Sequence, residues 1–148
     1  MCSSDLGGDL EAAVRAADIV VTATPSTAPL VRREWLRPGA HVNAMGADTR
    51  GKQEHEVATL RDARIVVDDR AQAMSLGECQ HGAAAGLFEE AMPPTIGAVI
   101  AGETAGRSGP SELTLFDSTG IALQDLAAAQ LALRLAEERG LGAVISLD

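Results

Sequence analysis

Short apolar runs alternate along the chain with amphipathic or alanine-rich stretches. Four of these runs predict strands, at residues 17–26 (ADIVVTATPS), 40–48 (AHVNAMGAD), 64–69 (RIVVDD) and 112–119 (ELTLFDST). The first is continuously apolar at Ile19, Val20 and Val21, a pattern typical of a strand buried on both faces. Helical segments are predicted between the strands, at residues 9–17, 53–62, 71–80 and 95–102.

The longest predicted helix covers residues 121–139. Its apolar stripe recurs at helical spacing, at Ala122, Leu126, Ala129, Leu133 and Ala136. Gly140 ends it, and Asp125 lies in the first turn, where a negative charge suits the positive end of the helix dipole. One face of this helix is expected to be buried. The segment GAVISL, residues 142–147, predicts a last short strand.

Strands that alternate with helices indicate an α/β fold with a mainly parallel sheet. The 148 residues are enough to bury one core, and too few for two ordinary domains. Residues 102–111, rich in Gly, Ser and Pro, are interpreted as a connection within that domain rather than a boundary.

Charge and composition narrow the range of partners. The net charge of −9, spread without a long acidic run, argues against binding to nucleic acid or to an anionic membrane. No apolar run reaches the roughly 20 residues that span a bilayer. Cys2 and Cys79 have no paired or metal-like spacing, so neither a disulfide framework nor a metal site is expected. A reducing cytoplasm fits this composition.

Polar residues collect where the predicted strands end. Ligands of parallel sheets bind outside the carboxyl ends of the strands. The segments at those ends are residues 22–26, 45–48, 68–70 and 117–119. A turn or a helix cap explains any one of these residues equally well, but their convergence on one edge predicts a site.

The segment NAMGADTRGKQE, residues 43–54, fits the phosphate-loop spacing through Gly46, Gly51 and Lys52. That loop requires Ser or Thr directly after the lysine, whereas this chain has Gln53. The acidic end of RIVVDD also follows too soon for the helix and crossover that such folds insert. A phosphate-loop nucleotidase therefore stays only as a less favoured alternative. No G-x-G-x-x-G fingerprint for a dinucleotide follows any predicted strand.

Asp48 is the carboxylate of greatest chemical interest. It lies just past a predicted strand, between Gly46 and Gly51, whose lack of a side chain lets a ligand or another backbone approach closely. Such a carboxylate accepts a proton or holds a cationic amine, although a turn aspartate is the alternative. The three histidines, His41, His55 and His81, have no spacing that indicates a triad or a metal site.

Taken together, several motifs resemble the ornithine cyclodeaminase and mu-crystallin family. They are ADIVVTATPS, the G-x-D-x-x-G-K-x-E pattern from Gly46 to Glu54, VVDD followed by Gly77 and Glu78, and TLFDSTGIALQD from Thr114 to Asp125. The resemblance implies a homodimeric enzyme that binds NAD(H) or NADP(H) and oxidises or reduces an amino acid or a cyclic imine. It also implies the second half of a Rossmann-type doubly wound, mainly parallel sheet, followed by a C-terminal helix and short strand.

The resemblance assigns roles to individual residues. Asp48 matches the family's catalytic aspartate and, with Thr119, would face the substrate. The residues expected to contact the cofactor are Thr22, Met45, Gly46, Ala47, Lys52 and Ser118. Some family members lack the aspartate and bind NADPH without cyclodeaminase activity, so its presence here favours an enzyme. The two reactions expected are conversion of ornithine to proline and reduction of a cyclic imine.

The resemblance also predicts how the chain is divided. Residues 1–8 match nothing in the family and are interpreted as a truncated or foreign start, and residues 9–128 as the carboxyl-terminal half of the NAD(P)-binding domain. Residues 129–148 are expected to return to a substrate and dimerisation domain. Because the glycine fingerprint and the groups that grip the substrate carboxylate precede this region in the family, weak or no cofactor binding is expected of this chain alone.

Overall fold

A computed structural model describes residues 8–143 and 145. In chain order the elements are α1 (Leu10–Ala16), β1 (Ile19–Thr22), β2 (Thr27–Val31), a 3-10 turn (Arg33–Trp35), β3 (His41–Ala44), β4 (Gln53–His55), α2 (Val57–Asp62), β5 (Arg64–Val67), α3 (Arg70–Ser75), α4 (Cys79–Ala84), α5 (Ile96–Ile100), β6 (Thr114–Asp117) and α6 (Ala122–Glu138).

The main sheet has four parallel strands in the order β1-β3-β6-β5. Thr22 pairs with Ala44, and Asp117 pairs with both Ala44 and Val67, so all four strands end at the same level. This arrangement confirms the predicted α/β class with a parallel sheet. It also gives the chain one carboxyl edge on which residues from distant segments meet.

The core lies on one face of this sheet. Val42, Val67 and Leu115 are almost fully buried there, beneath side chains that α1 to α4 contribute to the same cluster. On the opposite face of β1, Ile19 and Val21 are each 62% exposed. The prediction that this strand is buried on both faces is therefore wrong for the described residues, because none of their elements covers the outer face beside β1.

The predicted helix over residues 53–62 is partly wrong. Gln53–His55 form β4, which pairs in parallel with β2, and the helix begins only at Val57. β2 was not predicted. Tertiary contacts override local helix propensity here, because the backbone N–H of Gln53 donates to the Ser26 carbonyl and those of Glu54 and His55 donate to the Glu78 carboxylate.

The predicted helix over residues 71–80 is divided into α3 and α4. The break falls next to β6, since the backbone N–H groups of Glu78 and Cys79 donate to the Asp117 carboxylate at 3.0 and 2.8 Å. An ion–amide interaction with a different part of the chain thus ends α3 and begins α4.

Two shorter helices agree with the sequence prediction. Asp9 caps α1 by accepting from the Glu11 N–H, and Thr95 caps α5 by accepting from the Ala98 N–H. Residues 102–111 form a connection, as predicted. No helix within the described residues has the length and apolar character needed to cross a bilayer.

Helix α6 forms where predicted, but none of its described side chains is buried. Leu123 is 67% exposed and Leu133 is 62% exposed. The expected burial of one face therefore does not occur against the rest of the described chain. Half of the predicted strand at residues 142–147, namely residues 144, 146 and 147, lies outside the described residues, and residues 1–7 lie wholly outside them.

Truncation of one leucine in the sheet core and one leucine in α6 tests whether the core is packed and α6 is exposed. Leu115→Ala opens a cavity in the centre of the sheet and should lower the free energy of unfolding by about 2–5 kcal/mol. Leu123→Ala changes an exposed side chain and should shift it by less than about 0.5 kcal/mol. Urea denaturation followed by circular dichroism measures both. A similar loss in the two variants would show that α6 is packed.

Candidate functional site

The carboxyl edge of the sheet brings most of the predicted site residues together. The Met45 N–H donates to the Thr22 carbonyl at 2.8 Å, and the Ser118 N–H donates to the Ala44 carbonyl at 3.0 Å. The segments that follow β1, β3 and β6 thus leave the sheet side by side. Thr22, residues 45–47, Ser118 and Thr119 are gathered along one edge by this pairing.

The hydroxyl groups at this edge have partners within the chain. Thr22 Oγ1 lies 3.0 Å from His55 Nε2, and Ser118 Oγ donates to Asp68 Oδ2 at 3.1 Å. Thr119 Oγ1 donates to Asp68 Oδ1 at 3.1 Å. Because each hydroxyl is held by an internal partner, its position at the edge is fixed before any ligand binds.

Asp48 extends from the loop that follows β3. Its side chain is 51% exposed, and its Oδ1 accepts from Lys52 Nζ at 2.5 Å and from Thr49 Oγ1 at 3.0 Å. The hydrogen bond from Lys52 is the main reason why the pKa of Asp48 lies below its ordinary value. The carboxylate is ionised near neutral pH, as an exposed aspartate ordinarily is, and Lys52 stabilises its negative charge.

The two glycines of this loop serve different purposes. A Cβ on Gly46 would collide with Glu54 Oε1 and with the Thr24 backbone, so the close approach is made by other parts of this chain. Gly51 has a φ of +85°, a left-handed conformation that favours glycine. Directly after Lys52 comes strand β4 rather than the helix that a phosphate loop requires, which argues against the nucleotidase alternative.

Three fully buried carboxylates behind this edge form a chain of interactions that sequence reasoning missed. The carboxylate of Glu54 accepts from the backbone N–H groups of Thr24 and Gly46 at 2.6 and 3.0 Å. That of Glu78 accepts from the N–H groups of Glu54 and His55, and that of Asp117 from those of Glu78 and Cys79. We call Glu54, Glu78 and Asp117 the carboxylate chain.

A fourth acid, Asp68, also accepts backbone N–H groups, next to the carboxylate chain. Its side chain is largely buried and accepts from the N–H groups of Thr119 and Gly120, each at 2.8 Å. Its position at the end of β5 was recognisable from the sequence. The N–H groups that it binds lie about fifty residues further along the chain, and only the folded sheet brings them close.

Burial shifts the titration of this region. It raises the pKa of Glu78 to about 7, against the opposing effect of the N–H groups that it accepts. Burial likewise raises the pKa of Asp117 and of the Cys79 thiol, and lowers the pKa of His55 to about 4. His55 is therefore neutral near pH 7. Among the described residues, its Nδ1 has no hydrogen-bond partner.

A separate cavity of about 390 Å³ lies on the other face of the sheet, where its lining includes Val66, Val99 and Phe116. The guanidinium of Arg107 at its rim is already bonded to the Gly39 carbonyl and to Thr114 Oγ1. Arg64 is bonded to Glu112. This cavity contains none of the predicted site residues, and its charged groups serve to hold loops.

The parallel sheet with its polar carboxyl edge places the chain among α/β proteins that bind ligands at the ends of their strands. Residues 6–139 match the model of the ornithine cyclodeaminase/mu-crystallin family, so the chain belongs to that family.

The chain is similar to an iminosuccinate reductase from Paracoccus denitrificans, with 46% identity over 131 residues, which are 88% of this chain and 41% of that protein. The crystal structure of that reductase in complex with NAD+ matches 95% of this chain and 43% of its own, with a TM-score of 0.84 and 44% identity. The chain thus spans about two fifths of this relative.

Two other solved structures carry ligands of interest. An archaeal alanine dehydrogenase dimer with bound NAD is 43% identical, has a TM-score of 0.83 and is matched over 95% of this chain and 44% of its own. The Thermococcus litoralis Δ1-pyrroline-2-carboxylate reductase, in complex with NADH and L-proline, is 29% identical with a TM-score of 0.83. The match covers 93% of this chain and 43% of that one.

The raised pKa of Glu78 predicts a pH-dependent stability. Glu78 binds a proton more tightly in the folded chain, where its pKa is about 7, than at its ordinary value of 4.5. The resulting stabilisation is complete below the unfolded pKa and is lost as the pH rises through about 7. Glu78→Gln stays neutral and should therefore lose less stability than the wild type between about pH 5 and about pH 8.

Thermal unfolding at a series of pH values measures this effect. His55 acts in the opposite direction, since its stabilisation is lost as the pH falls through about 4, but it is common to both proteins. Glu34→Gln, a change at an exposed carboxylate, is the control and should follow the wild-type curve. If the stability curve of Glu78→Gln also runs parallel to the wild-type curve, the expected titration of Glu78 is wrong.

Proposed function

We propose that this chain forms part of an NAD(P)-dependent enzyme that transfers hydride between a nicotinamide and the α-carbon of an amino acid or its imine. The observation that carries the proposal is Asp48, an ionised carboxylate held by Lys52 beside the carboxyl edge of a sheet from this family. The names of the two similar reductases and of the similar dehydrogenase support the same class of reaction.

Met45, which is 42% exposed, offers an apolar surface for a flat nicotinamide ring. Ala44, Gly46 and Ala47 are small and buried beside it, so they let the loop lie close against the edge of the sheet. In this proposal Thr22, residues 45–47 and Ser118 line the cofactor, and Lys52 contacts it. When bound, NAD(P)H supplies the hydride. The internal hydrogen bonds of Thr22 and Ser118 give these two residues a part in shaping the site.

Asp48 is proposed to handle the proton and the positive charge of the substrate. Its ionised carboxylate stabilises a cationic imine by charge and accepts a proton from the amine in the direction of oxidation. Lys52 stabilises the ionised carboxylate, and Thr119, fixed by Asp68, is proposed to face the substrate.

Reduction of an imine is the reaction that the similar proteins favour, because the relatives described above are named as reductases and a dehydrogenase. Cyclodeamination of ornithine to proline and ammonia is the second candidate, supported by the family description. The two are distinguished by cofactor balance, since imine reduction consumes NAD(P)H and cyclodeamination leaves it unchanged. An NADPH-binding protein without turnover, like some family members, would show neither product.

We further propose that residues 9–128 belong to the cofactor domain and that residues 129–148 lead into a substrate and dimerisation domain. The proposed boundary falls within α6, which runs unbroken from Ala122 to Glu138. The exposed leucines of α6 and the exposed outer face of β1 are surfaces that a second domain would cover. The glycine fingerprint that cradles a pyrophosphate does not occur in these 148 residues. Weak NADH binding by the chain alone is therefore expected, and micromolar affinity in a fluorescence titration would contradict it.

A fusion protein tests the catalytic role. We expect the amino-terminal part of the Paracoccus denitrificans reductase, joined to residues 9–148 of this chain, to consume NADH with an imine substrate. Asp48→Asn should lower kcat by about 100-fold or more, as removal of an acid–base group does, with little change in NADH affinity. Asp62→Asn, at an exposed ion pair with Arg33, is the control and should retain full turnover.

Near-normal turnover of Asp48→Asn would exclude Asp48 as the acid–base group. A fusion that binds NADH tightly but turns over neither imines nor ornithine would instead support the non-catalytic alternative.

A further inference from the structure

Glu54 ends the G-x-D-x-x-G-K-x-E pattern, and the proposed chemistry gives it no task. We infer that Glu54 is a positioning residue for the hydride-transfer site, because its buried carboxylate fastens together the two loops that follow β1 and β3. This inference rests on the proposed function. It assigns to Glu54 no contact with substrate or cofactor, since the side chain is completely buried.

The geometry of Glu54 joins two different loops through one carboxylate. Its Oε1 accepts from the Thr24 N–H at 2.6 Å, and its Oε2 accepts from the Gly46 N–H at 3.0 Å. Thr24 is two residues past the end of β1, and Gly46 is two residues past the end of β3. Because one carboxyl group accepts from both loops at these short distances, the spacing of the two loops is closely defined.

The contact around Gly46 leaves no space for adjustment. An added Cβ at this position would overlap with Glu54 Oε1 and with both the N and O atoms of Thr24. The three residues therefore pack with no intervening side chain. The absence of a side chain on Gly46, which at first suggests room for a ligand, is required by the carboxylate of Glu54.

The backbone of Glu54 is itself bound by the carboxylate of Glu78. Its backbone N–H donates to both oxygens of Glu78, and the Glu78 N–H donates to Asp117 at the end of β6. The carboxylate chain thus runs from the sheet to the loop that carries the proposed catalytic aspartate. A shift of Glu54 is resisted at its backbone as well as at its carboxylate.

Gly46 connects Glu54 to the proposed catalytic aspartate through hydrogen bonds. The Asp48 N–H donates to the Gly46 carbonyl at 3.1 Å, so Gly46 is bound to Glu54 on its N–H side and to Asp48 on its carbonyl side. Met45 and Ala47, which are proposed to line the nicotinamide, are the two residues on either side of Gly46. Loosening of Gly46 would therefore displace both the surface offered to the ring and the aspartate that handles the proton.

Amide hydrogen exchange in the 148-residue chain, followed by NMR, tests the structural half of the inference without any cofactor. Glu54→Gln (E54Q) preserves the shape of the side chain but turns one acceptor into a donor that faces an N–H. We expect exchange at Thr24 and Gly46 to accelerate by about tenfold to one-hundredfold relative to the amides of β6. Equal acceleration at all these amides would overturn the inference.

Glu56→Gln (E56Q) is the matched control. Glu56 also accepts a backbone N–H, from Arg33 at 2.9 Å, but it lies away from the carboxyl edge. Its change should accelerate exchange at Arg33 and leave Thr24 and Gly46 unaffected. Glu54→Asp (E54D) keeps a carboxyl group with a shorter reach, so it should give intermediate exchange rates. If E54Q does not fold, E54D takes its place as the test variant.

Turnover of the fusion protein tests the functional half. We expect E54Q to lower kcat by about tenfold to one-hundredfold, with NADH affinity changed less than about threefold, and to raise the isotope effect with deuterated NADH. E56Q should retain full turnover. Unchanged kcat in E54Q, or an equal loss in E56Q, would overturn the inference. If the unaltered fusion has no turnover, the proposed function fails, and amide exchange alone decides whether Glu54 fastens the loops.

Discussion

Carboxylates that accept backbone N–H groups in a buried environment are the interaction on which the rest of this structure depends. A buried carboxylate is costly unless its oxygens are fully bonded, and an N–H with no partner is costly as well. In the carboxylate chain each cost offsets the other, because Glu54, Glu78 and Asp117 each bind two backbone N–H groups. These N–H groups belong to the loops after β1 and β3, to strand β4 and to the start of α4. Loops that regular secondary structure does not stabilise are thereby fixed to the sheet.

The strands of the main sheet could be predicted from the sequence, because Ile19 to Val21 and Ile65 to Val67 are apolar runs whose character depends on local composition. β4 could not, since Gln53–His55 is polar and forms a strand only because Glu78 and β2 bind its backbone. The division between α3 and α4 has the same origin at Asp117. In each case the decisive partner lies more than twenty residues away, beyond the reach of a local pattern.

The candidate site was likewise only partly predictable from the sequence. Asp48, Thr22 and Ser118 could be predicted as candidates because they lie at or just past strand ends and match a family pattern, and the structure gathers the three strand ends on one edge. Glu54 belongs to the same pattern, yet its task is invisible in the sequence because its partners are backbone groups. The ion pair between Asp48 and Lys52 was also hidden, since only the folded loop brings Lys52 Nζ to the carboxylate.

The close packing of Gly46 against Glu54 has a consequence for how this loop tolerates change. A side chain at position 46 is excluded by the glutamate as much as by the backbone of Thr24. A shorter residue at 54 would remove only the side-chain part of that obstacle and would release two N–H groups, while the backbone of Thr24 would still occupy the space of a Cβ. Position 46 is therefore restricted to glycine by the main chain of a neighbouring loop, whatever residue stands at 54.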